Sequence, residues 1–446
     1  MLELISPIDG RYGSKTKELQ SYFSEYALIK YRLKVEILYF RSLVEAGLPQ
    51  LTNVSLESIG KIENQIDNLT VDQAQEVKNI EKTTNHDVKA VEYYLKDMLK
   101  AHGIVEELEF IHFGLTSQDI NNTAFPLMIG GALDEVLVPA LQHFVNELSE
   151  VRNQWQGIPM LARTHGQAAS PTTLGKEIHV YIERLDNQTD KLLDLDLFAK
   201  FGGATGNLNA HLVSFPDTNW IDFANHFVTD KLNLVRHQTT TQIAHYDDLA
   251  NLFHTLSRIN TIFIDLARDM WTYISMDYFK QKVVKNEVGS SAMPHKVNPI
   301  DWENAEGNLG LANAIFGHLA EKLPISRLQR DLTDSTVLRN VGIPFGHMLI
   351  ALKSLEKALG KLSLNEDKIE ADLENNWAVV AEAIQNILRR EQIDKPYEKL
   401  KALTRGSRIT KSKISEFIET LEVSDDVKRE LSAISPHNYV GYYDKY

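Results

Sequence analysis

At 446 residues the chain is long enough for about three domains, and 43% hydrophobic with 24% charged residues describes a water-facing surface around a sizeable core. Lys and Arg number 47 against 61 Asp and Glu, and the formal charge of −14 disfavours non-specific attraction to nucleic acid or to an anionic membrane. The absence of cysteine excludes disulfides, thiol nucleophiles and thiolate metal sites. The expected compartment is a reducing cytoplasm. Met1 to Pro7 carries no basic n-region followed by an apolar core, and no apolar run in the sequence approaches the length of a membrane span.

In chain order, the first signal is the turn Ser6-Pro7-Ile8-Asp9-Gly10, followed by Arg11 and Tyr12. Further on, Asn85-His86-Asp87 opens a helical pattern with Asp87 and Glu92 near its positive end. Asn85 as an N-cap accounts for itself and for Asp87, but leaves His86 without a role. Thr116 and Ser117 precede a long helical segment over 117–153 carrying Ile120, Leu127, Leu133 and Leu137, which Pro139 should kink. Those two hydroxyls either cap the helix or, with its free amides, receive an anion.

A second long helix is expected over 171–200, with Ser170 as N-cap and Pro171 in the first helical position. That leaves His165, in Arg163-Thr164-His165-Gly166-Gln167, on a turn. A lone histidine ordinarily makes a structural hydrogen bond, while a loop histidine between Thr164 and Gln167 is also placed for proton transfer. Gly202-Gly203-Ala204-Thr205-Gly206-Asn207 is read as a tight turn, because no Lys-Ser/Thr follows and the flanks are helical, against a P-loop or a dinucleotide fold. The third long helix, over 243–282, repeats Leu249, Leu252, Phe253, Leu256, Ile259, Phe263, Leu266 and Met270 on one face, widened by Ile262, Trp271 and Ile274. Such a wide stripe requires several partner helices, in the same chain or another.

Residues 289–299, Gly289-Ser290-Ser291-Ala292-Met293-Pro294-His295-Lys296-Val297-Asn298-Pro299, bring a hydroxyl pair, an ammonium and an amide onto one loop between helical stretches. Gly289 permits positive φ, and Pro294 and Pro299 exclude a helix through the segment. Finally, Arg330-Asp331-Leu332-Thr333-Asp334-Ser335 continuing to Arg339 is either a charged surface loop capped by Asp334 or Ser335, or a set of guanidinium forks for a phosphate or carboxylate. Neither a His-Glu-x-x-His motif nor a dense His/carboxylate run is present, so no metal and no cofactor is expected.

The ordered content of residues 289–299 resembles the shared loop of the fumarase/aspartase superfamily, and the His295 version is most similar to that of the adenylosuccinate lyases of the longer bacterial type. Matching segments near 11, 85, 116, 165, 242, 290–308 and 330–339 extend the resemblance over most of the first 340 residues. It implies an all-α, three-domain chain, divided near 1–110, 111–363 and 364–446, with a central long-helix bundle completed by a homotetramer that shares its active sites between chains. The implied reaction is β-elimination of fumarate from adenylosuccinate, giving AMP, and from the succinylated aminoimidazole carboxamide ribonucleotide (SAICAR), giving AICAR.

On this resemblance Ser290 is the general base, Lys296 stabilises the carbanion, His165 is the general acid, and Glu303 pairs with it. Substrate contacts are implied for Arg11, Tyr12, Asn85, His86, Asp87, Thr116, Ser117, Gln242, Ser291, Asn298, Asn304, Arg330, Ser335 and Arg339, with the arginines suited to a phosphate. Two other readings remain open: an argininosuccinate lyase-like enzyme, which shares the elimination but needs no phosphate pocket, and a helical scaffold that has lost activity.

Overall fold

The structure, a computed structural model, describes residues 2–282, 293, 296–404 and 409–442. The chain is all-α, with four two-stranded sheets of two or three residues per strand among the described residues. It forms two compact units, one built from 1–141, 188–261 and 308–351 and the other from 142–187, 262–307 and 352–446. Five helices, Val138–Gln154, Leu174–Leu193, Asp247–Ser275, Ile300–Lys322 and Gly342–Lys361, are each divided along their length between the two units.

In the first unit, helix Glu25–Glu45 packs against Leu56–Asp67, Asp87–Ala101 and Ser117–Ala132. Its start is fixed by Ser24, whose Oγ accepts from the Ala27 amide at 3.1 Å. Leu33, Tyr39, Phe40 and Leu43 of this helix are fully buried. Burying one such side chain contributes about 1.5–3 kcal/mol. The same unit stacks Phe253 on Phe316 at 5.5 Å between centroids, and Asn260 donates to Asn313 at 2.9 Å. In the second unit, Phe144 meets Phe263 edge-on at 5.5 Å, and a separate apolar cluster holds Trp377, Val380, Ile384 and Leu388.

The expected stripe on Asp247–Ser275 is buried from Leu249 to Met270, Ile262 included. Trp271 departs from it, being 44% exposed within the single chain. Pro139 stands in the first turn of Val138–Gln154, directly after a π-helical stretch, Leu133–Leu137, and Pro126 is accommodated inside the preceding helix. This run, 117–154, corrects one expectation, because by length and composition it could cross a membrane. Ile120, Ala124, Ile129 and Leu137 are buried in protein, which is what the core helix of a folded domain requires of the same composition. The second long helix begins at Leu174 rather than Pro171, since residues 172–173 pair as a strand with Pro159–Met160 and Thr173 Oγ1 accepts from the Lys176 amide at 3.4 Å. Ser170 instead hydrogen-bonds Glu382.

Candidate active site

A cavity of about 530 Å³ in the first unit is lined by Asn85, His86, Asp87, Ser117, Arg330, Ser335 and Arg339. Seven of the sequence-selected residues therefore share one space, of a size that takes a small ligand. Three positions are set by local backbone devices. Asn85 adopts φ +50 and ends helix Val71–Thr84, a left-handed position that asparagine tolerates well. His86, not Asn85, is the N-cap of Asp87–Ala101, and its Nδ1 accepts from the Lys89 amide at 3.1 Å. Thr116 occupies the N-cap position of Ser117–Ala132, and the Asp119 carboxylate reaches back to its amide at 2.8 Å.

The electrostatic centre of the cavity is Asp87. Its Oδ2 accepts from Arg32 at 2.8 Å and from Arg339 at 2.7 Å. Burial pushes this carboxyl up, but Arg32, the Val88 amide and Arg339 outweigh it and hold it down at about 2. Arg330 is positioned separately: Nη2 donates to Ser335 Oγ at 3.0 Å, and Nε lies 3.7 Å from the buried Asp334. Asp334 in turn accepts from Tyr246 at 3.1 Å, and Gln118 Nε2 reaches Ser335 Oγ at 3.3 Å. The charged-loop reading of this segment is replaced by a short helix, Thr333–Leu338, whose first turn is tied by the Thr333 amide donating to Asp331 at 2.8 Å.

Gln242 lies beside this group rather than on the cavity wall. Its amide donates to the Ala204 carbonyl at 3.2 Å, and its oxygen receives Arg330 Nη1 at 3.5 Å. The glycine turn proves to be a receptor for a side chain of the same chain: Asp119 Oδ1 accepts from the Gly202 amide at 2.8 Å and the Gly203 amide at 3.1 Å. Gly206 needs its φ of +77, and a Cβ there would stand 2.3 Å from the Thr240 carbonyl oxygen. Arg11 is exposed, with its guanidinium 5.8 Å from the Tyr12 ring, and neither residue lines the cavity.

The remaining candidates belong to the second unit. His165 and Gly166 form the two-residue turn between strands Arg163–Thr164 and Gln167–Ala168, with φ +52 and +74, the signs of a type I′ hairpin. That geometry thrusts the imidazole out, and the residue is exposed. Lys296 is also exposed. Asn298 is half-buried, and Asn304 accepts from Ser354 at 2.9 Å. Glu303, in the first turn of Ile300–Lys322, accepts from Trp271 Nε1 at 3.0 Å, and within the single chain it makes no ion pair with His165. Ser290, Ser291 and His295 lie outside the described residues.

Arg32, Gln118 and Asn121 also line the cavity, as does Glu81, and were not singled out from the sequence. Arg32 and Glu36 stand on the buried face of their helix, 2% and 0% exposed, and a charge recurring on an apolar stripe was the available signal. Among the described residues, His143, Glu147 and Glu356 are the group with metal-ligand chemistry, their donor atoms within 4.8 Å of one another. His143 is exposed and 3.6 Å from each carboxylate, as in an ordinary surface ion-pair cluster.

Residues 10–317 match the family described as lyase, and residues 326–440 match the adenylosuccinate lyase C-terminal family. Among solved structures, a 3-carboxy-cis,cis-muconate lactonizing enzyme from Pseudomonas putida superposes with a TM-score of 0.75 at 20% identity, covering 96% of this chain and 94% of that one. A fumarate lyase from Mesorhizobium sp. BNC1 gives 0.74 at 19% identity, covering 96% and 95%. These two structures show the fold alone, an all-α, fumarase/aspartase-like one. Adenylosuccinate lyase from Dictyostelium discoideum is 57% identical over 99% of this chain and 97% of its own, and those from Vibrio cholerae and Escherichia coli K12 are 47% and 45% identical with the same coverage. The chain belongs to the adenylosuccinate lyase family, and its activity is that of a lyase eliminating fumarate.

Proposed function

We propose that the elimination is run by Ser290 as general base and His165 as general acid, on both adenylosuccinate and SAICAR, in a cytoplasmic homotetramer whose chains share each active site. The observation that carries the reading is the Arg330, Ser335 and Arg339 group, donors suited to the phosphate common to both substrates, lining one cavity with Asn85, His86 and the carboxylate of Asp87. Arg11, Tyr12, Thr116, Ser117, Gln242, Ser291, Asn298 and Asn304 are proposed as further substrate contacts. The segmentation at 110 and 363 is retained as the domain division of this proposal.

The chemistry follows from charge. Ser290, as alkoxide, takes the proton from the succinyl carbon next to a carboxylate, whose oxygens then carry two negative charges. Lys296 offers a fixed cation to that dianion. The carbon–nitrogen bond breaks as the electron pair forms the fumarate double bond, and His165 as imidazolium delivers a proton to the departing nitrogen, because expelling an unprotonated amide anion would be far costlier. Within one chain Glu303 holds Trp271. We assign its pairing with His165 to the assembled tetramer, where His165 and Glu303 come from different subunits. Exposure of Trp271, Ile300 and Leu311 on the long helices supports burial by further chains.

Absorbance assays on purified protein test the reading. Adenylosuccinate should yield AMP and fumarate, SAICAR should yield AICAR and fumarate, and argininosuccinate should be inert. Turnover of argininosuccinate in preference to the nucleotides would overturn the phosphate reading, and a folded tetramer inert towards all three would be the inactive scaffold.

A further inference from the structure

Two guanidinium groups share one oxygen in the cavity, and they are not equivalent. Arg32 is 2% exposed and tied on two sides: Nε donates to Asn121 Oδ1 at 2.9 Å, and Nη2 to Asp87 Oδ2 at 2.8 Å. It has nowhere else to go. The Arg339 side chain is 43% exposed and reaches the same Asp87 oxygen at 2.7 Å, with a looser contact to Glu25 at 3.4 Å. Only Arg339 is free to re-aim.

We propose that Arg32 is a positioning residue for phosphate binding, holding the Asp87 carboxylate in place while an anionic ligand draws Arg339 away from it. The inference rests on the phosphate-binding reading of Arg339. Without Arg32, the exchange would strand a partly buried carboxylate without a cation, and the ligand would have to compete against the full charge of Asp87 for Arg339. With Arg32 in place, Asp87 keeps a partner throughout, and Arg339 leaves at low cost.

The consequence is a proton count. The charged and titratable groups around Asp87 are Arg32, Arg339 and His86, whose Nδ1 is 3.9 Å from Oδ1, with Glu81 on the same cavity wall and Glu25 beyond Arg339, both paired with Lys78. Remove Arg32 and the Asp87 carboxyl rises, then rises again once phosphate occupies Arg339. Binding then takes up a proton, so the affinity of such a variant improves relative to the native protein as pH falls. Taking the ratio of the two affinities cancels the titration of the ligand's own phosphate.

AMP affinity is to be measured by calorimetry at pH 7.5 and 5.5 for the native protein, Arg32→Gln and Arg32→Lys. The expected result is a deficit of about tenfold or more for Arg32→Gln at pH 7.5 that shrinks severalfold at pH 5.5, with most of the affinity restored in Arg32→Lys. A deficit equal at both pH values, or none, would overturn the proposal. Should Arg32→Gln fail to fold, the charge-balanced Arg32→Gln/Asp87→Asn protein decides: it must bind AMP as Asp87→Asn alone does, and a further tenfold loss in the double variant would show Arg32 acting other than through Asp87. Native protein that neither binds AMP nor cleaves adenylosuccinate would refute the functional reading itself, a separate outcome.

Discussion

Lys200 donates to Asp119 at 2.7 Å, and both side chains are wholly buried. Asp119 belongs to the first turn of Ser117–Ala132, while Lys200 precedes the glycine turn whose amides the same carboxylate binds. One residue thus ties a helix N-terminus carrying Thr116 and Ser117 to the loop against which Gln242 rests. Asp119→Ala would leave a buried ammonium without its counter-ion and several amides without an acceptor, at a cost of about 3–5 kcal/mol. Urea unfolding monitored by circular dichroism checks this, and a loss under about 1 kcal/mol would contradict it.

A pH-dependent contribution is expected from His112. Its Nδ1 meets Glu36 Oε1 at 2.6 Å, and its Nε2 is 3.9 Å from Glu92. Burial opposes the charged ring, but Glu36 and Glu92 prevail and raise its pKa above the ordinary value. A raised folded-state pKa contributes stability that is fully present below about pH 6.5 and is lost as pH climbs through the folded value. His112→Gln should therefore lose on the order of 1–2 kcal/mol at pH 6 and progressively less towards pH 9. Stability curves for the two proteins that stay parallel from pH 6 to 9 would rule this out.

Much of this arrangement was legible because periodicity and motif order are local signals. The stripe from Leu249 to Met270 located its helix and its buried face, and Arg163 to Gln167 declared a turn around His165. Helix starts were less legible. Ser170-Pro171 has the composition of a start, yet a strand pairing between 172–173 and 159–160 claims the backbone first. The glycine turn at 202 was legible as a turn, but not its occupant, because Asp119 lies more than eighty residues earlier in the chain. Arg32 was missed for a similar reason: its partners Asp87 and Asn121 come from two other helices, and no local pattern announces them.

Arg339 distinguishes phosphate from carboxylate recognition. Arg339→Ala should weaken AMP and adenylosuccinate by about tenfold or more while leaving fumarate within about twofold, since fumarate carries no phosphate. Equal losses for all three ligands in equilibrium binding would remove the phosphate-specific role.

Ser290 enters the chemistry only as the proton leaves carbon. Ser290→Ala should lower kcat by about a thousandfold or more with little change in adenylosuccinate affinity. Near-native turnover by rapid-mixing assay would exclude it as the base.

The central claim is that His165 of one chain and Ser290 of another act in a single pocket, and complementation tests it most directly. His165→Ala and Ser290→Ala proteins, each inactive, are to be mixed in equal amounts, mildly denatured and refolded together, with mixed tetramers verified by mass spectrometry. Random assembly gives about a quarter of pockets an intact histidine from one chain and an intact serine from another. Activity should recover towards about a quarter of native, while either variant refolded alone stays inactive. Verified mixed tetramers with no returning activity would contradict the division of the site between chains.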